Sequence, residues 1–255
     1  MKQYFISDQG KVRPHNEDAG GLFKNKADQT LSIVADGMGG HQAGDVASEM
    51  VKTYFASVWE ATERIDTPEE AEAWLRSHIL KANTNVFQHA EQHPECRGMG
   101  TTVIVVIFMA DQLSIAHIGD SRCYRYREGD LIQITDDHSL VNELVRSGQL
   151  SKEDAEYHPR KNVLMKALGT NPTVEPDVFS SAWHEGDRLI VCSDGLTNKL
   201  TDQELKDYLA TNESLHDIAK EMVNEANDRG GEDNITLALA EHSEAEEAEE
   251  GDATC

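Results

Sequence analysis

TTVIVVIFMADQLSIAHIGDSRCYRYREGDLIQIT, residues 101–135, crowds four strand-like runs into one short span. Thr101 to Ala110, Leu113 to Ile118, Cys123 to Arg127 and Leu131 to Thr135 are rich in β-branched and aromatic side chains. Their joints, Asp111-Gln112, Gly119-Asp120 and Glu128-Gly129-Asp130, are turn chemistry. Joints this short leave no room for crossover helices, so hairpins and antiparallel pairing are predicted. The first run is apolar throughout, which predicts burial on both faces, between another sheet and a helix.

Working outward, Tyr4 to Ser7 and Leu31 to Ala35 read as further strands. From Asp45 to Trp59 the residues Val46, Met50, Val51, Tyr54, Phe55 and Val58 recur with helical spacing, one stripe to lay on a sheet. Thr67 is placed to cap a second helix, with Pro68 just inside and Glu69-Glu70 in its first turn. That helix is predicted to reach His89 and to bury Trp74, Leu75, Ile79, Leu80 and Val86. On the other side, residues 141–162 mix charges with Leu144, Val145 and Leu150 and contain Gly148 and Pro159. A short helix followed by an excursion is expected there. Arg188 to Ser193 and Ile235 to Ala240 read as strands, with helices near Asp202 to Leu209 and Leu215 to Asn227 between them. No internal repeat or linker divides the chain, so residues 1–241 are expected to form one domain. Residues 242–255 form a glutamate-rich tail without basic residues, expected to be solvated and disordered.

The formal charge of −24 comes from 47 acidic and 23 basic side chains among 255 residues. Such a surface disfavours nonspecific attachment to nucleic acid or to an anionic membrane. An anionic substrate would need local positive charge from metal ions or a few arginines. The longest apolar stretch, Val103 to Ala110, is one strand long and too short to cross a bilayer. Residues 1–18 are polar and include Asp8, Glu17 and Asp18, unlike a signal peptide, so a cytoplasmic location is expected. Cys96, Cys123, Cys192 and Cys255 form no C-x-x-C pair, which favours structural thiols in a reducing compartment.

Chemistry concentrates at aspartates next to strand ends. Asp36 closes an apolar strand and is followed by Gly37-Met38-Gly39-Gly40, while Asp120, Asp194 and Asp233 sit in Gly-Asp-Ser, Ser-Asp-Gly and Glu-Asp-Asn contexts. Hard oxygen ligands of this kind suit Mg²⁺ or Mn²⁺. Two such ions could bridge and activate a water and neutralise phosphoryl oxygens. Gly37 offers close approach and a backbone carbonyl, Glu17 or Asp18 a second-ion contact, and Arg13 a planar fork for phosphate. The bland alternatives are helix caps and turns for the aspartates and a surface ion pair for Arg13. No cysteine is followed by arginine at the spacing of a cysteinyl-phosphate mechanism. No G-x-x-x-x-G-K-[ST] loop is present, and Gly98-Met99-Gly100 runs into a strand where a dinucleotide-binding turn would open a helix.

RPHNED at Arg13 to Asp18, VADGMGG at Val34 to Gly40, GMGTT at Gly98 to Thr102, GDSR at Gly119 to Arg122, CSDG at Cys192 to Gly195 and GGEDNIT at Gly230 to Thr236 occur in that order. In these motifs, spread over nearly all of the chain to residue 240, the sequence resembles the metal-dependent Ser/Thr protein phosphatases of the PP2C or PPM family, bacterial single-domain type. The resemblance implies an α+β fold, a four-layer α-β-β-α sandwich with two central antiparallel sheets. It implies that Asp36 bridges two Mn²⁺ or Mg²⁺ ions, that Gly37 contributes its carbonyl to one, and that Asp194 and Asp233 bind the other. Glu17 takes the acidic position near the metals, Asp18 supports the water network, and Arg13 binds the substrate phosphate. Asp120 with Asp194 matches a weaker third-ion arrangement. Met38 stands where many eukaryotic relatives carry a histidine and cannot supply a leaving-group proton. His15, His41 and His138 are read as structural or solvent-facing. The implied activity is hydrolysis of phosphoserine and phosphothreonine in proteins by direct attack of metal-activated water, reversing a Ser/Thr protein kinase, with residues 141–162 as a flap beside the site. A catalytically silent scaffold and a phosphatase for small esters are the alternatives, separated by metal-dependent turnover and by comparing phosphopeptides with small esters.

Overall fold

The computed structural model describes residues 1–39, 43–151, 154–155 and 157–243. The tail from residue 244 and His41 therefore lie outside the described residues. The strands are β1 (Lys2–Asp8), β2 (Asp18–Lys24), β3 (Thr30–Met38), β4 (Gly100–Thr101), β5 (Val103–Phe108), β6 (Gln112–Ile118), β7 (Arg122–Arg127), β8 (Asp130–Gln133), β9 (Asp177–Ala182), β10 (Arg188–Cys192) and β11 (Ile235–Glu241). Helices α1 (Ala43–Glu60), α2 (Pro68–Gln92), α3 (Leu140–Arg146), α4 (Asp194–Thr197), α5 (Asp202–Leu209) and α6 (Leu215–Asp228) complete the α+β fold.

Two antiparallel sheets organise the chain. One runs β1-β11-β10-β7-β8 and the other β2-β3-β5-β6-β9, with β4 paired to β3. Alternation along β5 explains its unbroken apolar sequence. Val103, Val105 and Ile107 join a core built with α1 and α2, while Ile104, Val106 and Phe108 join a core with residues of the other sheet such as Leu189, Val191 and Ala238. A third core places Leu205, Leu209, Ile218 and Met222 of α5 and α6 against Ile190, Leu237 and Leu239.

Helical spacing dictates what each helix buries. Ala47, Val51, Phe55 and Trp59 recur every four residues along α1 and are fully buried. The Thr67 hydroxyl accepts from the Glu70 N–H and caps α2, which runs unbroken with Pro68 in its first turn. Ala71, Leu75, Ile79, Ala82 and Val86 form its buried stripe. Leu80 does not join them. It stands about 100° round the helix from Ile79 and remains 43% exposed, and Trp74 is only partly buried.

Two features escape sequence patterning and matter for function. β2 reads poorly as a strand because Gly20 and Gly21 interrupt it, yet Gly20 admits no side chain. A Cβ on Gly20 would lie 2.4 Å from the Ile33 carbonyl oxygen and 2.8 Å from the Phe5 ring. The second is the connection from β6 to β7. These runs are not hairpin partners: β6 pairs with β5 and β9, and β7 with β10 and β8. Gly119-Asp120-Ser121 therefore carries the chain from one sheet to the other. Gly119 has φ of +110°, and a Cβ there would meet the Thr102 side chain at 2.6 Å.

Candidate active site

Strand ends from both sheets deliver the acidic residues to one place. Asp18 opens β2 and lies directly opposite Asp36 near the end of β3. Asp194 follows β10, Asp233 precedes β11, and Asp120 occupies the turn between the sheets. Convergence of so many buried carboxyls penalises their charged forms. The Asp36 carboxyl is held well above its ordinary range, first by desolvation and then by Asp18, Asp194, Asp120 and Asp233. Desolvation raises Asp18 to about 7, against the opposing hydrogen bonds of Ser193 and Thr236 and with further upward pressure from Asp194 and Asp233. Asp120 is likewise raised to about 7 by desolvation, Asp194 and Asp137. Asp194 is raised by desolvation and Asp233, although Asn198 and a hydrogen bond from Asp36 favour its charge.

Small polar groups hold these carboxylates. The Ser193 hydroxyl donates to Asp18 Oδ2 at 2.7 Å, and Asn198 Nδ2 donates to Asp194 Oδ2 at 3.0 Å. The Asp36 N–H donates to Thr102 Oγ1 at 3.0 Å, while Thr102 Oγ1 and Ser121 Oγ are hydrogen-bonded at 2.7 Å. Asn234 ties the N-terminal arm down: its Nδ2 donates to the carbonyls of Gln9 and His15, and its Oδ1 accepts from the Glu17 N–H. The Glu17 carbonyl in turn accepts from the Gly37 N–H at 3.1 Å and from the Ser48 hydroxyl at 2.6 Å. Gly37 must be glycine, since a Cβ would lie 2.1 Å from the Gly44 oxygen and 2.5 Å from that of Glu17.

Arg13 reaches the same cluster. Its Nη2 donates to Asp233 Oδ2 at 2.8 Å, and its Nη1 is 3.9 Å from Glu17 Oε2. Arg13, Glu17, Asp18, Asp36, Gly37, Asp120, Asp194 and Asp233 thus all come together. Sequence patterning does not single out Thr102, Ser121, Ser193 and Asn234, of which Ser193 holds a carboxylate and the other three fix the backbone around Asp36 and Glu17 from inside the same motifs. The signal for Ser121, Ser193 and Asn234 is a small polar residue next to an aspartate; Thr102, between Thr101 and Val103, has none.

The donor set fits hard divalent cations. Five carboxyl groups crowd a low-dielectric cleft, and the strain of their mutual repulsion is what a multiply charged ion relieves. A groove of about 790 Å³ runs from Asp120 and Asp194 past Ser139 and Val141 to Asn162 and Asp202. A further candidate metal-binding cluster, consistent with divalent-cation use, adjoins it: the ligand atoms of His117, His138 and Asp177 lie within 4.8 Å of one another.

Residues 11–240 match the family model of protein phosphatase 2C. The chain belongs to the protein phosphatase 2C family. It is 47% identical over 243 residues to the serine/threonine phosphatase Stp of Listeria welshimeri, covering 95% of this chain and 96% of that one. The crystal structure of the phosphatase Stp1 from Staphylococcus aureus superposes with a TM-score of 0.92 at 39% identity, covering 95% of each chain. The catalytic domain of the phosphatase PstP in complex with two manganese ions has a TM-score of 0.82 at 33% identity, covering 94% of this chain and 97% of that one. This protein phosphatase 2C is a bacterial, metal-dependent Ser/Thr protein phosphatase. Among the described residues no helix is long and apolar enough to cross a membrane.

Proposed function

We propose that the enzyme hydrolyses phosphoserine and phosphothreonine in proteins through two Mn²⁺ or Mg²⁺ ions held by the strand-end carboxylates. Asp36 would serve both ions, with the Gly37 carbonyl and Glu17 as further ligands of one and Asp194 and Asp233 of the other. Asp120 with Asp194 would hold a third, weaker ion. The observation that carries this reading is the register pairing of Asp18 with Asp36 inside a cluster that also holds Asp194, Asp120 and Asp233. When bound, the ions supply Lewis acidity, polarising water for direct attack on phosphorus and offsetting phosphoryl charge.

The remaining work falls to the chain's own groups. Asp18, anchored by Ser193, orients water at the floor of the cleft. Arg13 commits one amino group to Asp233 and keeps donors for a phosphoryl oxygen. Met38 donates no proton, and the one ring N–H left to neutral His138, on Nε2, faces Asp177 at 3.4 Å, so a water chain is the proposed proton source for the leaving alkoxide.

The three cores support a four-layer α-β-β-α stacking of the domain, residues 1–241. Residues 141–162 act as a flap beside the groove. His242 is hydrogen-bonded to Gly186, Asp187 and Ala110 and so packs with the domain, which moves the start of the acidic tail to residue 244, outside the described residues. The enzyme works in the cytoplasm on phosphoproteins and reverses a Ser/Thr kinase. Metal-free protein assayed on phosphoserine, phosphothreonine and phosphotyrosine peptides, with Mn²⁺ or Mg²⁺ restored separately, tests this reading. Restored turnover on the first two peptides is expected. Metal-independent turnover, or a strong preference for small esters, would refute it.

A further inference from the structure

His138 lies between β8 and α3, buried beside the turn that carries Asp120, and it grips that turn twice. Its N–H donates to the Gly119 carbonyl at 2.9 Å, and its Nδ1 accepts the Gly119 N–H at 3.1 Å. The His138 carbonyl accepts from the Met165 N–H at 2.7 Å, and Ser139 bridges Leu164, so the same residue also pins both roots of the 141–162 segment. Ring orientation is fixed from behind. His117, fully buried, stacks on His138 at 4.5 Å and 12°, and its Nε2 donates to the Asp136 carbonyl at 2.9 Å. Asp177 Oδ2 faces His138 Nε2 at 3.4 Å, with Lys166 Nζ 3.5 Å from the other carboxylate oxygen.

These bonds decide between two uses of the cluster. A neutral imidazole has one N–H and one lone pair. Because His138 Nδ1 accepts a backbone N–H, its Nε2 must carry the proton and has no lone pair for an ion. Stacked rings also direct their in-plane lone pairs side by side, where a shared ion needs them to converge. The arrangement instead suits an aromatic wedge. The turn it holds has no slack: Gly119 is at positive φ against Thr102, and Ser121 is hydrogen-bonded to the Thr102 hydroxyl that receives the Asp36 N–H.

We infer that His138 is a positioning residue that sets the Gly119-Asp120 turn through its Nδ1 acceptor and so fixes the outlying carboxylate relative to Asp36 and Asp194. The inference rests on the assignment of Asp120 as a ligand of the weaker ion. Losing the acceptor should act like losing a partner that orients a metal ligand, which weakens metal affinity or activity by about 10- to 100-fold.

The test measures Mn²⁺ dependence of aryl-phosphate hydrolysis and calorimetric Mn²⁺ binding in the full chain carrying His138→Ala, His138→Gln or His138→Asn. Asparagine places its Oδ1 where Nδ1 was, whereas glutamine reproduces only the Nε2 position. The Asn variant should retain near-parental Mn²⁺ half-saturation; the Gln and Ala variants should need about 10-fold or more Mn²⁺ for full rate. The tightest calorimetric sites and the substrate KM at saturating metal should stay put. Should the Ala variant fail to fold, the Asn and Gln pair decides alone. Equal behaviour of Asn and Gln would overturn the inference, as would one Zn²⁺ per chain bound to the parent and released by His117→Ala. Asp120→Ala serves as the control for the underlying reading. If it leaves Mn²⁺ dependence unchanged, the third-ion assignment fails; if it raises the requirement while His138→Gln does not, only the positioning role fails.

Discussion

Stripping the metals should invert the usual preference of a folded protein for neutral pH. Asp18 is buried and titrates near 7 in the fold, against an ordinary value of 3.8. A carboxyl raised in this way binds a proton in the folded state that the unfolded chain has already lost. Between about pH 4 and 7 the folded state therefore holds more protons, and stability falls as pH rises. At ~1.4 kcal/mol per pH unit, Asp18 alone removes about 2 kcal/mol between pH 5.5 and its titration near 7. Asp120 acts in the same direction. The two contributions overlap, because protons in the cluster are shared among coupled carboxyls. For a chain of this size each kcal/mol moves Tm by roughly 2–4 °C. Metal-free protein at pH 8 should thus melt about 4–8 °C below its value at pH 5.5. Mn²⁺ at about 100 times its Kd should return roughly 2.7 kcal/mol at pH 8. Calorimetry of chelator-treated protein in 0.5 M salt, which screens general repulsion, reads this out, and Asp18→Asn should give a visibly shallower pH slope. A metal-free Tm that is flat or rises from pH 5.5 to 8, or an unchanged slope in Asp18→Asn, would refute the reasoning.

Three further outcomes are expected. Arg13→Ala should lower kcat/KM on phosphopeptides by about 10- to 100-fold, the worth of charge-assisted hydrogen bonds, while calorimetric Mn²⁺ binding persists; lysine should restore only part. Gly195→Ala places a Cβ 1.9 Å from the Asn234 carbonyl oxygen, so it must move Asp194 away from Asp233. Turnover should drop roughly 100-fold, and parental kinetics would show that the two loops are not held in contact. Phe55→Ala empties the core between α1 and the β3 sheet and should cost about 3–5 kcal/mol in chemical denaturation, with kcat at 20 °C nearly parental because Phe55 lies away from the cleft.

Local rules made much of the fold legible. The Thr67 cap with Pro68, the helix of α1 and the span of α5 follow from capping and helical periodicity, but the buried stripe of α1 lies on Ala47, Val51, Phe55 and Trp59, while the expected Val46, Met50, Tyr54 and Val58 are only partly buried. The two-faced burial of β5 follows from its unbroken apolar run. Leu80 was misassigned because a helical stripe has a width that composition does not define. β2 escapes strand propensity, which counts side chains, whereas Gly20 is there to let the Ile33 carbonyl and the Phe5 ring approach. The β6 to β7 joint resembled a hairpin turn because a short polar link between two strands looks the same whether they pair or part.

The identities of the site residues were carried by the sequence, since an aspartate at a strand end beside glycine is a local fact and the ordered motifs assemble several of them. Their meeting was not. It depends on β2 pairing with β3 in the register that sets Asp18 opposite Asp36, and on β10 ending and antiparallel β11 beginning over the same cleft. Raised carboxyl pKa values likewise arise only when separated segments share one low-dielectric space. The grip of His138 on Gly119 is of the same kind: hydrogen bonds across 19 residues follow from how two sheets stack, and no spacing in the chain encodes them.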